Sequence, residues 1–347
     1  MRRLFDVLIR PRPVLVLLLL VTLLKGWLWS VVVPVWQVCD EDRHYSYARE
    51  VVRQRTLLVS NPEQMPEEQL LLWNLLTPQL IFRHLEPVNL SPKVLAQIDS
   101  VMRRLDSPAS RTTLVPSDLI PSFIAQHPPL YYALQAVVYW LGMGHSILVR
   151  IAWMRFLSVV MALGAVLCTY GAVRTLWPDR AWFPIAAAIL VSFHPSFTLF
   201  TSAINNTALE MLCFSGLAWL AAVIARRGMS WRRGLALGAV LAAGLLTRSS
   251  FLAAIPLVLV LWAWDLLRAR RRCHWGGWAL AAVIPVALAG WWYAGYVSTG
   301  GEAMAEVYRS STPPTSVPLL SYLRNYPWLT SYIPFLREWW GIFGWRD

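Results

Sequence analysis

The sequence predicts an all-α polytopic membrane protein. It should have about seven transmembrane helices and a large first extracytoplasmic loop carrying surface helices. Three observations predict this. Hydrophobic residues make up 57% of the 347 and charged residues only 14%, where a soluble domain carries about 25% charge. Apolar runs approaching the roughly 20 residues that a helix needs to cross a bilayer recur along the chain. Between them lie clusters of arginine, the pattern of cytoplasmic loops. The net charge of +12 comes from those clusters. No basic face with interleaved aromatics accompanies them, which argues against a nucleic-acid partner. The 20 tryptophans suit membrane–water interfaces, where a half-polar ring is at home.

Element by element, residues 1–36 read as a cytoplasmic N-terminus followed by the first span, at 14–36. The start resembles a secretory signal, but the apolar run continues past Lys25 and no small-x-small site follows. An uncleaved first span is therefore expected. The remaining spans are expected at 151–174, 181–202, 208–225, 234–248, 250–267 and 275–297, a six-helix bundle over 151–297. Only one orientation puts every basic cluster inside: Arg2 to Arg12, Arg174 to Arg180, Arg226 to Arg233, and Arg268 to His274. It places the N-terminus in the cytoplasm and residues 37–150 outside a plasma membrane.

Within 37–150, DEDRHYSYAREVVRQRTLL reads as a helix with its acids in the first turn, where the helix dipole favours them. NPEQMPEEQ reads as turns, and 92–105 as a weak helix opened by Ser91 and Pro92. DSPASRTTLVPSDLIPS reads as irregular. HPPLYYALQAVVYWLG is too short to span and is laid on the outer surface. Residues 298–347 form an extracytoplasmic tail. It stops on an aromatic stretch that reads as the start of a further span, as expected of a truncated chain. The four cysteines, Cys39, Cys168, Cys213 and Cys273, show no metal or redox spacing.

Candidate chemistry gathers on the outer side. Asp40 and His44 are i,i+4 neighbours on one helix face, with Glu41 beside them. An acid at headgroup depth is partly desolvated, which raises its pKa toward that of a general base. The plainer alternative is an acidic helix start. His127, held before Pro128 and Pro129, is the second candidate, against a turn leading into an interfacial helix. Asn205 and Asn206 at the end of the third span are the third, against a loop cap. Arg248, on the side that arginine normally avoids, is the fourth. It suits an anionic headgroup or phosphate, against snorkelling to lipid. Arg155 poses the same question.

These motifs, in this order, resemble the GT-C class of membrane glycosyltransferases, in the protein-mannosyltransferase-like and aminoarabinose-transferase-like branch. The resemblance rests on Asp40-Glu41-x-x-His44-Tyr45, His127-Pro128-Pro129-Leu130-Tyr131-Tyr132, Arg155-x-x-Ser158, Ala203-Ile204-Asn205-Asn206, Thr247-Arg248-Ser249 and Phe343-Gly344-Trp345. It implies transfer of a sugar from a polyprenyl-phosphate donor to a lipid, glycan or protein acceptor at the outer leaflet. Asp40 or Glu41 would be the catalytic base. Arg248 and Arg155 would stabilise the leaving phosphate. His44, His127, Asn205 and Asn206 would position substrate. Some members of the class use a divalent metal, for which Asp40, Glu41 and His44 are the candidate ligands. The chain departs from the class in carrying Thr207 where an acid often follows the paired Asn, with Glu210 one turn on. It also has fewer spans. The rival readings are a transporter or flippase of a lipid-linked molecule, and a non-catalytic relative serving assembly or sensing.

Overall fold

The computed structural model describes residues 11–38, 40–58, 64–76, 92–116, 127–269 and 274–298, together with 321, 324 and 325. Cys39, Cys273, Gln126, most of the N-terminal basic cluster, Phe343-Gly344-Trp345 and nearly all of the tail lie outside them. The described residues are overwhelmingly helical.

The Leu/Val-rich α1 (Pro11–Val32) opens the chain. The backbone then reverses through two residues in the left-handed region, Trp36 (φ 63°) and Asp40 (φ 61°). This conformation is tolerable for Asp and costly for a bulky Trp. α2 (Glu41–Gln54) follows, with Glu41 and Asp42 in its first turn as expected. Next come β1 (Gln64–Pro66), α3 (Glu67–Leu76), α4 (Pro92–Asp106), α5 (Pro108–Thr112) and β2 (Leu114–Pro116). β1 and β2 form an antiparallel ladder that pairs Met65 with Val115. Of these, the sequence showed only α4. β1 lies within the segment read as turns, and α3 starts there and runs on to Leu76, while α5 and β2 lie within the one read as irregular. α5 has a clear start signal in hindsight, because the Ser107 hydroxyl accepts from the Ala109 amide.

α6 (Leu130–Leu141) is the short apolar helix that follows the two prolines. The bundle continues with α7 (Ile147–Leu176), α8 (Phe183–Ser192), α9 (Pro195–Thr201), α10 (Thr207–Arg227), α11 (Trp231–Leu245), α12 (Ala254–Ala269) and α13 (Trp275–Ser298). A 3-10 turn, Ser249–Ala253, leads into α12. Among the described residues, five helices are long and apolar enough to cross a membrane, or six if α8 and α9 count as one broken span.

The expected run at 181–202 is thus broken, with a 61° bend between α8 and α9. Pro195 forces His194 into extended geometry, and the helix stops there. The expected run at 234–248 yields only the 15 residues of α11. Its end is fixed by Phe251, whose ring packs so close to Gly244 that a Cβ there would overlap it.

Glycines bring the helices together. A Cβ on Gly234 would fall on the Gly277 carbonyl oxygen, and one on Gly238 would lie 2.8 Å from the Leu280 carbonyl. α11 therefore lies backbone to backbone on α13, the close approach that small-xxx-small spacing allows. Gly164 faces Leu212 and Gly171 faces Trp219. Both numbers rise together, so α7 and α10 run parallel.

The helix ends sort into two sets. At one end, Leu130 donates its amide to Leu246 (2.9 Å). There too, Arg248 reaches Thr207 and Glu210 at the start of α10 (2.8 and 3.2 Å). At the other end, Asp265 accepts from the Met229 amide (3.2 Å) and from the Trp278 indole (2.9 Å). Arg226 and Arg227 belong to this second end. So does Arg174, by the register of α7 against α10.

Candidate functional site

The chain reversal after α1 is locked by one ion pair. Arg155 on α7 donates from Nε (2.7 Å) and Nη2 (2.6 Å) to the two oxygens of Glu41. Its remaining N–H groups reach the carbonyls of Ser30, Val33 and Pro34 at 2.7–3.1 Å. All five guanidinium donors are used. Glu41 also accepts from the backbone amides of Trp36 (2.7 Å) and Ile204 (3.0 Å). Both side chains are buried. The sequence offered Glu41 as a base and Arg155 as a phosphate ligand. Here each is committed to the other, and together they tie α1, α2, α7 and the loop before α10 into one junction. Among the described residues, no group of three His, Cys, Asp or Glu side chains is placed to hold a metal ion. Asp40, Glu41 and His44 do not form such a group.

Asp40 is different. It is paired with Arg43 at 2.8 Å, and its side chain is 40% exposed. Glu41, next in sequence, fixes it through the backbone.

His44 is buried and shares a 2.7 Å hydrogen bond through Nδ1 with the Tyr132 hydroxyl. Its ring lies 5.7 Å from that of Tyr132 and 5.8 Å from that of His127. Tyr47 stacks on Tyr132 at 3.7 Å and donates to the His127 carbonyl at 3.1 Å. α2 and α6 thus present a histidine pair on a tyrosine floor. Burial, the neighbouring His127 and the Arg248 charge hold His44 well below the usual imidazole value. Burial and Arg248 push His127 down to about 4, against the opposing pull of Asp40. Both rings are therefore neutral at physiological pH, and His127 feels Asp40 and Arg248 at once.

Arg248 has 39% of its side chain exposed. Its Nη1 contacts the Thr207 hydroxyl and the Glu210 carboxylate, while Ser250 donates to the other Glu210 oxygen. Thr207 and Glu210 therefore meet on a single guanidinium. The Asn205 side chain accepts from the Thr207 amide at 3.0 Å, which makes it a loop cap. Asn206 is buried, and among the described residues its side-chain nitrogen has no hydrogen-bond partner. Such a group needs an acceptor.

The structure thus brings Asp40, His44, His127, Asn206 and Arg248 to one end of the bundle. Sequence reasoning missed Asp42. Asp42 is buried with neither carboxylate oxygen partnered among the described residues, and burial raises it to about 7, only partly offset by Arg43. It lies on the α2 face that carries Ser46 and Arg49, both bonded to Gln69 of α3. Without α3 in the reading, that face looked solvated. Ser158 of the Arg-x-x-Ser motif meets the Tyr131 hydroxyl at 3.1 Å, and Gln135 joins them.

No family model matches the chain, and no curated protein and no solved structure matches it.

Proposed function

We propose that the protein is an integral membrane glycosyltransferase. It moves a sugar from a polyprenyl-phosphate donor to an acceptor hydroxyl of a lipid, glycan or protein at the outer leaflet. One observation carries the reading: a partly exposed acid, a neutral histidine pair, an unsatisfied carboxamide and a partly exposed arginine meet at one bundle end. The arginine-rich helix ends lie at the opposite end.

In this reading Asp40 takes the proton from the acceptor hydroxyl. The acceptor oxygen bonds to the anomeric carbon as the bond from that carbon to the phosphate oxygen breaks. Arg248 stabilises the departing polyprenyl phosphate, placed where charge develops. His44, His127 and Asn206 hydrogen-bond and orient the sugar or acceptor.

The orientation follows the positive-inside rule, with the Arg174, Arg226–Arg227 and Arg268 end cytoplasmic. Seven crossings fit the chain's course. α7 and α10 are parallel, so α8 and α9 together must bring the chain back across. The Arg248–Thr207 bond returns α11 to the level where α10 began. Residues 37–150 then lie outside, with α6 at the interface.

The test is release of polyprenyl phosphate from a panel of polyprenyl-phosphate sugars in membranes bearing the protein. Asp40→Asn should lower it by about 10²–10⁴-fold. No release from any donor by a folded, inserted chain overturns the reading.

One observation favours transport instead. Lys25 in α1 donates to the Ser192 carbonyl and to the Thr198 hydroxyl (2.8 Å), at the break between α8 and α9. A charge at a broken span marks pathways in transporters. Flipping of a labelled polyprenyl-phosphate lipid in vesicles, abolished by Lys25→Met while Asp40→Asn leaves it intact, would select this reading.

A further inference from the structure

A second cavity lies away from the histidine pair, between α2, α5, the β ladder and α6, with a volume of about 770 Å³. Its walls are of two kinds. Arg49, Arg53, Arg55 and Arg111 line one side, and apolar residues including Val137 and Trp140 line the other. Val137 and Trp140 are well exposed.

The charge there is unbalanced. Arg49 and Arg53 share the single buried carboxylate of Glu50. Arg150 behind them is paired with Glu68. Among the described residues, no carboxylate pairs with Arg55 or Arg111. Arg111 gives Nη1 to the Gly144 carbonyl at 2.9 Å, while its Nε is buried without a partner. Among the described residues, five guanidiniums thus meet two carboxylates. Arg55 stands at the α2 C-cap in the left-handed conformation, φ 53°, which turns the chain toward β1.

Guanidinium groups suit the planar bidentate recognition of phosphate. An apolar wall carrying an exposed Trp suits the acyl region just below a headgroup. We infer that this cavity binds the phosphate-bearing headgroup of an anionic lipid. The phosphate sits on Arg55 and Arg111, and the upper acyl carbons lie on Val137 and Trp140. The inference rests on the outer-leaflet placement of α6 proposed above, and not on sugar transfer. Along α6, Tyr139 lies seven residues from Tyr132, about 10 Å at 1.5 Å per residue. A lipid whose phosphate sits on Arg55, eleven residues along α2 from His44, has its headgroup about 16 Å from that histidine at 1.5 Å per residue, in the position of a bound regulator.

The experiment is calorimetric titration of the full chain in a neutral detergent with dihexanoyl phosphatidic acid. Parallel titrations use dihexanoyl phosphatidylcholine and inorganic phosphate. Saturable binding of phosphatidic acid, at least tenfold tighter than either control, is expected. The double variant Arg55→Gln/Arg111→Gln should weaken it at least tenfold. So should Val137→Glu, an exposed position whose substitution leaves the packing alone. Unchanged binding in variants that unfold at the native temperature overturns the inference. Phosphatidylcholine binding equally well overturns it too. Inorganic phosphate binding as tightly as the lipid overturns the lipid assignment in favour of a free anion. A chain that binds phosphatidic acid and transfers no sugar overturns the transferase reading alone.

Discussion

Replacing Asp42 by Asn should stabilise the protein, and by an amount that depends on pH. Asp42 is buried, both its oxygens lack partners, and its pKa is raised to about 7 from an ordinary 3.8. The Arg43 charge offsets only part of that burial. The folded state therefore holds the proton more tightly than the unfolded chain does. Stability from this group is fully present below about pH 4 and is lost as pH rises through about 7. The gap of about 3 pKa units corresponds to roughly 4 kcal/mol over the whole range, of which about 2 kcal/mol falls between pH 5.5 and 8.5. The assay is thermal or denaturant unfolding of both proteins in detergent across that window. The two histidines contribute a slope of opposite sign. They are neutral when folded, so protonating the unfolded chain below about pH 6.5 costs stability. That slope is common to both proteins and cancels in the difference. The difference should grow by about 2 kcal/mol from pH 5.5 to 8.5 in favour of the Asp42→Asn variant. A difference that stays flat, or that shrinks with rising pH, would refute the reasoning.

Other outcomes follow from the same contacts. Glu41→Gln should cost about 3–5 kcal/mol, because it strands a buried guanidinium. Glu41→Leu with Arg155→Met should recover much of that loss, read by unfolding temperature. Gly234→Ala should weaken the α11–α13 packing by about 1–3 kcal/mol, since its methyl meets the Gly277 carbonyl. Gly144→Ala, with open space around it, should be near neutral. Arg248→Gln should leave unfolding within about 1 kcal/mol of native, as expected for a half-exposed ion pair. Its release of polyprenyl phosphate should fall by at least tenfold, and equal release would remove Arg248 from the site.

What the sequence made legible was periodicity and charge. α1, α7, α10, α12 and α13 follow from apolar length, and α2 from the acids at its start. Asp40, His44, His127 and Arg248 were visible as polar residues at span ends, and their gathering followed from the basic clusters. The misses share a cause in long-range contacts. Nothing local says that Arg155 would meet Glu41, 114 residues away. Nothing local marked α3 as the cover for Asp42 and Arg49. α9 was hidden because a proline two residues past Phe193 is a break signal that a continuous apolar run conceals. Lys25, read only as an interruption of the first span, gains meaning from Ser192 and Thr198, on segments 167 and 173 residues further along.

The Glu41 junction also has a consequence in time. The last partner of this carboxylate is the Ile204 amide, 163 residues downstream. Synthesis at about 5–20 residues per second puts about 8–30 s between the emergence of the two. Throughout that interval the acid is present and its junction is incomplete. The mouth of the bundle thus closes late in biogenesis, after α7 and the broken span are in place. A chain arrested before residue 204 would carry the Arg155–Glu41 pair at the reversal after α1 without the amide that ties it to the loop before α10.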